Sequence, residues 1–149
     1  MTDRGFRVRA LGEIAIRCAD MQEMIAFYRD MLGLEILEGN ASSGICFFQL
    51  GESYGGHTAV LALFQHDVAQ RPVHPESDGI PVTGAASSLH HLALTVDAGE
   101  QQAAIDWYDS KGQPYRIEEF PWIGWRGVFT QDPEGNTVEL VAKVAEPQA

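Results

Sequence analysis

Residues Glu13-Ile-Ala-Ile-Arg-Cys-Ala-Asp20 run directly into Met21-Gln-Glu-Met-Ile-Ala-Phe-Tyr-Arg-Asp-Met-Leu-Gly-Leu34. The first six read as a strand, despite imperfect alternation of polarity. Asp20 with Glu23 three residues on is a helix-starting pattern. Met21, Met24, Ile25, Tyr28, Met31 and Leu32 recur at helical spacing, and Gly33 ends the run. Leu34–Leu37, Ile45–Leu50 and Thr58–Phe64 then read as three strands. The order is β-α-β-β-β.

The same order returns downstream. His91-Leu-Ala-Leu-Thr-Val96 reads as a strand, and Asp97 with Glu100 repeats the capping pattern. Ala104, Trp107 and Tyr108 mark a helix face, and Gly112 ends the helix. Tyr115–Glu119, Gly127–Gln131 and Thr137–Lys143 read as strands. Asp132-Pro-Glu-Gly135 has the residue order of a type I turn. The two copies lie about 80 residues apart, with Ala15 matching Ala93 and Phe27-Tyr28 matching Trp107-Tyr108. Between them, residues 67–88 carry Pro72, Pro75, Pro81, Gly79 and Gly84 and read as a linker. The expected organisation is one α+β domain over 1–149, with modules at 11–66 and 89–144.

The bulk properties narrow the partners. The 149 residues are 45% hydrophobic, which suits one globular domain with a real core. The net charge is −11, from 10 basic and 21 acidic residues. That excludes nucleic acid and anionic membrane surfaces as natural partners, because both require basic patches. Cys18 and Cys46 sit in apolar runs, as buried free thiols do, and no Cys-x-x-Cys pair occurs. Met1–Ala10 is polar and holds Arg4, Arg7 and Arg9, so it has no signal-peptide character and a cytoplasmic location is expected.

Three motifs carry a resemblance. Glu13–Leu34 resembles the first module of the vicinal-oxygen-chelate superfamily, the glyoxalase/bleomycin-resistance/dioxygenase proteins. His91–Asp97 looks like the start of its second module, and Asp132-Pro-Glu-Gly-Asn-Thr-Val-Glu-Leu140 like its closing motif. The likeness spans roughly residues 11 to 144. It implies two βαβββ modules forming a paired, partly open mixed-sheet barrel around a cavity, a small-molecule substrate and a homodimer. It does not fix the reaction, since the family holds lyases, isomerases, dioxygenases, antibiotic-modifying enzymes and metal-free binders.

The resemblance also implies four ligand positions for a divalent metal ion. Carried over, they are Glu13, Ala62, His91 and Glu139. The first is usually His or Gln, and alanine offers no ligand at the second. Glu13, His91 and Glu139 remain as the candidate metal triad. Strand alternation supports the choice. If Glu13, His91 and Glu139 face a cavity, so do Ala15, Arg17, Ala93, Thr95, Thr137 and Val141. The aliphatic Ile14, Ile16, Leu92, Leu94, Val138 and Leu140 then face the helices.

Two carboxylates and an imidazole suit Fe, Mn, Co, Ni or Zn and leave open positions for substrate. With both carboxylates ionised, the loaded site is formally neutral, which weakens anion binding and Lewis acidity. That argues against a close copy of the fosfomycin-modifying enzymes, whose substrate is anionic. The resemblance also sets the triad apart from the two-histidine, one-glutamate site of an extradiol dioxygenase, and Ala62 cannot supply the fourth ligand or the carboxylate base of a glyoxalase I. Arg17 is placed to offset the charge or bind a substrate carboxylate. His57, at a strand mouth, is either a loop histidine or a general base. Ala62, Thr95 and Trp122 complete the substrate-binding set, with Trp122 as a stacking surface. On a strand His90 points away from His91 and is expected to be structural or on the surface, unless the strand begins later, and His66 and His74 are expected to be solvated. The Gly55-Gly56 pair lacks the context of a phosphate loop.

Three functions follow. One is a metal-dependent enzyme acting on a small oxygen-rich metabolite by bidentate chelation. Another is a metal-free binder similar to the bleomycin-resistance proteins, which the acidic charge and Ala62 favour. A regulatory module with a vestigial cavity is a third.

Overall fold

The computed structural model describes residues 4–67 and 82–148. Most of the expected linker, and His74 with it, lies outside the described residues. The chain divides into two compact units, Met1–Pro81 and Val82–Ala149. Each holds one four-stranded mixed sheet. Among the described residues no helix is long and apolar enough to cross a membrane.

The first unit runs β1 (Glu13–Cys18), α1 (Met21–Ala26), β2 (Glu35–Asn40), β3 (Ile45–Glu52) and β4 (Thr58–Gln65). The strand order is β1-β4-β3-β2, with β1 parallel to β4 and the other pairs antiparallel. The Asp20 side chain accepts a hydrogen bond from the Glu23 backbone N–H at 3.1 Å, as the sequence pattern predicts. The helix does not stay α-helical. Phe27–Met31 forms a π-helical turn, closed by the Leu32 N–H to the Phe27 carbonyl. Gly33 then takes the left-handed conformation, with φ +74°, and reverses the chain.

One face of this sheet forms the core. Ile16, Cys18, Cys46, Phe48, Leu61 and Leu63 are buried, as are Met21, Met24, Ile25 and Tyr28 of the helical segment. Tyr28 meets Phe48 at 6.2 Å between ring centres. Both cysteines are free and buried, and burial pushes the Cys46 thiol up, away from reactivity. His66 departs from its expected solvation. It is half-buried, and its Nδ1 is covered with no hydrogen-bond partner among the described residues.

The second unit repeats the plan with β5 (Leu92–Thr95), α2 (Gln101–Lys111), β6 (Arg116–Phe120), β7 (Trp125–Gln131) and β8 (Thr137–Lys143). Its strand order is β5-β8-β7-β6, again with the first strand parallel to the last. A full capping box joins Asp97 and Glu100. Gly112 ends α2 at φ +66°. The Asp132 carboxylate accepts from the backbone N–H groups of Glu134 and Asn136 and from Asn136 Nδ2, at 2.9–3.0 Å. This knot fixes the turn that starts β8.

The helix face differs from the sequence reading. Trp107 is exposed and carries the Lys111 amine over its ring at 4.6 Å. The buried side chains of α2 are Gln101 and Tyr108. Gln101 Nε2 donates to the carbonyls of Arg126 and Leu140, and its Oε1 accepts from Arg126 Nε at 2.8 Å. A glutamine therefore pins α2 to β7 and β8, a role that hydrophobic periodicity does not register.

Tyr108 is fully buried, and its hydroxyl has no hydrogen-bond partner among the described residues. Burial pushes its pKa up to about 12 from the ordinary 10. The folded state therefore holds the proton more tightly than the unfolded chain. Stability present below pH 10 is lost as pH rises through that window. Tyr108→Phe removes an unpaired polar atom whose burial typically costs about 1–3 kcal/mol. Urea denaturation should show the variant more stable by about 1 kcal/mol, with a flatter alkaline limb. A variant less stable than wild type would mean the hydroxyl has a partner.

Candidate functional site

The strand registers define what shares the face opposite α2. In the second unit, Ala93, Glu139, Phe129 and Arg116 form one row across the sheet. Thr95, Val141, Gly127 and Glu118 form the next. His91 immediately precedes β5, so strand alternation does not govern it. Its Nε2 lies 3.1 Å from Glu139 Oε2. The Glu139 side chain is only 6% exposed, whereas that of His91 is 34% exposed. Ring packing orients the imidazole, with Phe129 edge-on at 5.9 Å.

Gly127 makes room for the carboxylate. A Cβ there would overlap Glu139 Oε1 and lie 2.7 Å from Phe129 Cε2. A glycine inside a strand often marks such a close approach. Burial pushes the Glu139 carboxyl above its ordinary range, and Glu118 adds to this, while His91 opposes it. A cation or a hydrogen-bond donor at this position is what keeps the carboxylate charged.

The neighbouring surface is aromatic and cationic. The Arg116 guanidinium lies over the Phe129 ring at 5.3 Å and pairs with Glu118 at 3.0 Å. Phe120 meets Phe129 at 6.4 Å and pairs across the hairpin with Trp125. Trp122 sits in the turn between β6 and β7 and is 68% exposed. Thr95 is exposed on the same face as Glu139.

β5 starts at Leu92, one residue later than the strand read from the sequence, so His90 and His91 do not alternate as strand residues, and His90 is exposed. The Nδ1 atoms of the two rings are 2.8 Å apart. The sequence reading also passed over Gly127, Phe129 and Arg116. The spacing of Gly127 and Phe129 two apart on one strand was the available signal.

The first unit presents a parallel set of rows: Glu13, Val60, Gln49 and Glu35; then Ala15, Ala62, Phe47 and Glu38; then Arg17, Phe64 and Ile45. Ala62 pairs with Ala15 as Glu139 pairs with Ala93, so it occupies the position of Glu139 in the repeat. Phe47 likewise matches Phe129, and Ile45 matches Gly127. Ala62 is fully buried, with Phe47 and Phe64 meeting edge to face at 6.1 Å. Glu13 is exposed and Arg17 half-buried. His57 packs its ring against Gly12, just ahead of Glu13, where an added Cβ would lie 3.3 Å from Cε1.

The donor set can be tested against a divalent ion. Two ligands about 2.1 Å from one ion and at right angles to each other lie about 3.0 Å apart. The His91–Glu139 separation of 3.1 Å fits that spacing as well as it fits an ion pair. Within each unit, no three His, Cys, Asp or Glu side chains among the described residues gather to hold a metal. The second unit thus brings two donors, His91 and Glu139, to a spacing compatible with one divalent ion, and Glu13 is an exposed carboxylate of the first unit.

Gly127→Ala should cost about 1–2 kcal/mol, in the lower part of the usual range for overpacking. The carboxylate is the flexible partner and should swing away from His91. Denaturant unfolding reads the first effect and a crystal structure the second. Adding Glu139→Ala should recover most of the loss, giving strong non-additivity. Simple additivity would show that the carboxylate does not occupy the space above the glycine.

Comparison with known proteins agrees with this architecture. The protein YwkD of Bacillus subtilis (strain 168), whose name records it as uncharacterized, is 30% identical over 137 residues, covering 89% of this chain and 96% of that one. A lactoylglutathione lyase structure from Agrobacterium tumefaciens superposes with a TM-score of 0.64 at 27% identity, covering 89% of this chain and 92% of that one. A glyoxalase/dioxygenase structure from Nostoc punctiforme gives 0.63 at 24% identity, with 97% of each chain covered. The sequence profile of the Glyoxalase/Bleomycin resistance protein/Dioxygenase superfamily matches residues 10–140, and the chain belongs to that superfamily.

Proposed function

We propose that this protein is a metal-dependent enzyme acting on a small oxygen-rich metabolite, with Glu13, His91 and Glu139 holding a divalent Fe, Mn, Co, Ni or Zn ion. The observation that carries this reading is the buried Glu139 carboxylate, seated over Gly127 and 3.1 Å from His91 Nε2. The protein works as a cytoplasmic homodimer.

When bound, the metal acts as a Lewis acid toward two adjacent substrate oxygens. The protein's residues do the rest. Glu13 and Glu139 balance the charge of a divalent ion, which favours substrates that need little further anion stabilisation. Arg17 binds a substrate carboxylate. Trp122, exposed in the turn between β6 and β7, stacks on planar parts of the ligand. Ala62 and Thr95 shape the wall. His57, exposed against Gly12, moves a proton at the cavity mouth. The lyase neighbour and the breadth of the superfamily both support an enzyme without fixing its reaction.

A second reading is a metal-free binder of the bleomycin-resistance kind. The first unit favours it, because Ala62 is buried beside Phe47 and Phe64 where the second unit has a carboxylate. The net charge of −11 suits a cationic ligand.

Elemental analysis of tag-free protein separates the two. The enzyme reading expects about one transition metal per chain, lost in His91→Ala/Glu139→Ala, as removal of two of three ligands requires. Protein that takes up no Fe, Mn, Co, Ni or Zn on reconstitution would sink it. Saturable binding of a cationic glycopeptide would then support the second reading.

A further inference from the structure

The chain enters β1 from an exposed, basic segment. Arg4, Arg7 and Arg9 are three of the chain's 10 basic residues, so the remainder is more acidic than the whole. Residues 6–10 are exposed throughout, with Phe6 at 73% and Val8 at 82%. Among the described residues, no backbone–backbone hydrogen bond joins residues 6–10 to the rest of the chain. Gly5, at φ +74°, bends the chain just before them. After them the path is fixed. Ser53 Oγ donates to the Leu11 carbonyl at 2.8 Å, and the Val60 N–H to that of Gly12 at 3.0 Å. Arg9 rests on Tyr54, with its guanidinium 5.1 Å from the ring centre.

In an extended segment side chains alternate, so Arg7 and Arg9 share one side and Phe6 and Val8 the other. A sheet edge that accepts this segment as a further strand needs acids on one face and apolar groups on the other. The two sheets end at β1, β2, β5 and β6. β1 carries Arg17 as well as Glu13, β5 has no acid, and β6 has Arg116 already paired with Glu118. β2 has Glu35 and Glu38 and no base, and both acids are exposed. Glu35 pairs with Gln49 and Glu38 with Phe47, two residues apart on β3, so the bulge between Ile36 and Glu38 sets both acids on one face. Ile36 takes the other face, and Leu37 is 45% exposed. Acids along an edge repel a second copy of the same edge but welcome a basic strand.

We propose that Phe6–Arg9 is an arm that adds to the β2 edge of a second copy of this chain, with Arg7 and Arg9 beside Glu35 and Glu38. Phe6 and Val8 then lie on the side of Ile36. The arm's own edge is out of reach. Gly12 is held at the β1 end of the sheet, and the place beyond β2 is four strand spacings away, about 19 Å. The three residues from Gly12 to Arg9 span at most about 11 Å. Arg9 exchanges its exposed contact with Tyr54 for an acidic one, and Arg7 gains a partner. Reciprocal exchange gives two such contacts in one dimer and leaves no arm over. The arm rests on the homodimer of the reading above and is independent of the metal.

Sedimentation velocity of the full chain tests it. Wild type should be a reversible dimer that weakens as salt rises to about 1 M, where charges are screened within about 3 Å. Arg7→Glu/Arg9→Glu and Glu35→Lys/Glu38→Lys should each dimerise at least about 10-fold more weakly, because like charges then meet across the contact. An equimolar mixture of the two should recover the wild-type affinity, since each arm again meets an edge of opposite charge. Lys111→Glu/Lys143→Glu changes the net charge as the first variant does and should dimerise within a few-fold of wild type. Reversals that leave the dimer as tight as wild type overturn the proposal while the homodimer stands. Recovery only when all four changes sit in one chain, and not in the mixture, means that the arm docks on its own sheet and overturns it too. Wild type that stays monomeric removes the homodimer and the arm together.

Discussion

Each unit is organised by one requirement: its first strand must lie parallel to its last. Parallel neighbours cannot be joined by a tight turn, so the chain needs a crossover, and here the helix and two further strands supply it. The helix covers one face of the sheet and takes the large apolar side chains with it. The opposite face mixes small and polar residues such as Ala15, Ala93, Thr95 and Glu139 with the aromatic rings of Phe47, Phe64 and Phe129. Parallel pairing also brings the start of the first strand beside the last strand, which is how His91 comes within 3.1 Å of Glu139 across 48 residues of chain, 139 less 91. A site at this corner is a consequence of the topology, and side-chain identity decides what chemistry it holds.

The two units answer that decision differently. In the second, a glutamate and a glycine face each other from adjacent strands, and the carboxylate fills the space that the glycine leaves. In the first, the equivalent positions hold Ala62 and Ile45, a small residue beside a large one. Close packing ties such diagonal neighbours together, since a larger side chain at one needs a smaller one at the other. Ala62 offers no donor at the register position where the second unit has Glu139.

The fold was legible in the sequence because it is written twice. Asp20 and Asp97 cap their helices as read, the paired alanines share a register position, and the Asp132 turn starts β8 where expected. The polar faces were legible too, since a period of two sorts Glu139 from Val138 and Leu140. What escaped depends on contacts rather than periods. Gln101 looks like a surface residue until three hydrogen bonds are counted. Trp107 looks like core, yet lies outside with Lys111 across it. The orientation of His90 turned on one residue, since the later start of β5 removes the alternation that would have turned it away from His91.

Electrostatics sets what Glu139 needs from its surroundings. Burial and the Glu118 carboxylate both disfavour charge on Glu139, and His91 opposes them. Arg116 pairs instead with Glu118 and lies over the Phe129 ring. A glutamine or an aliphatic side chain would fill the space above Gly127 without the cost of a buried charge, so what the glutamate adds to filling that space is its contact with His91 at 3.1 Å.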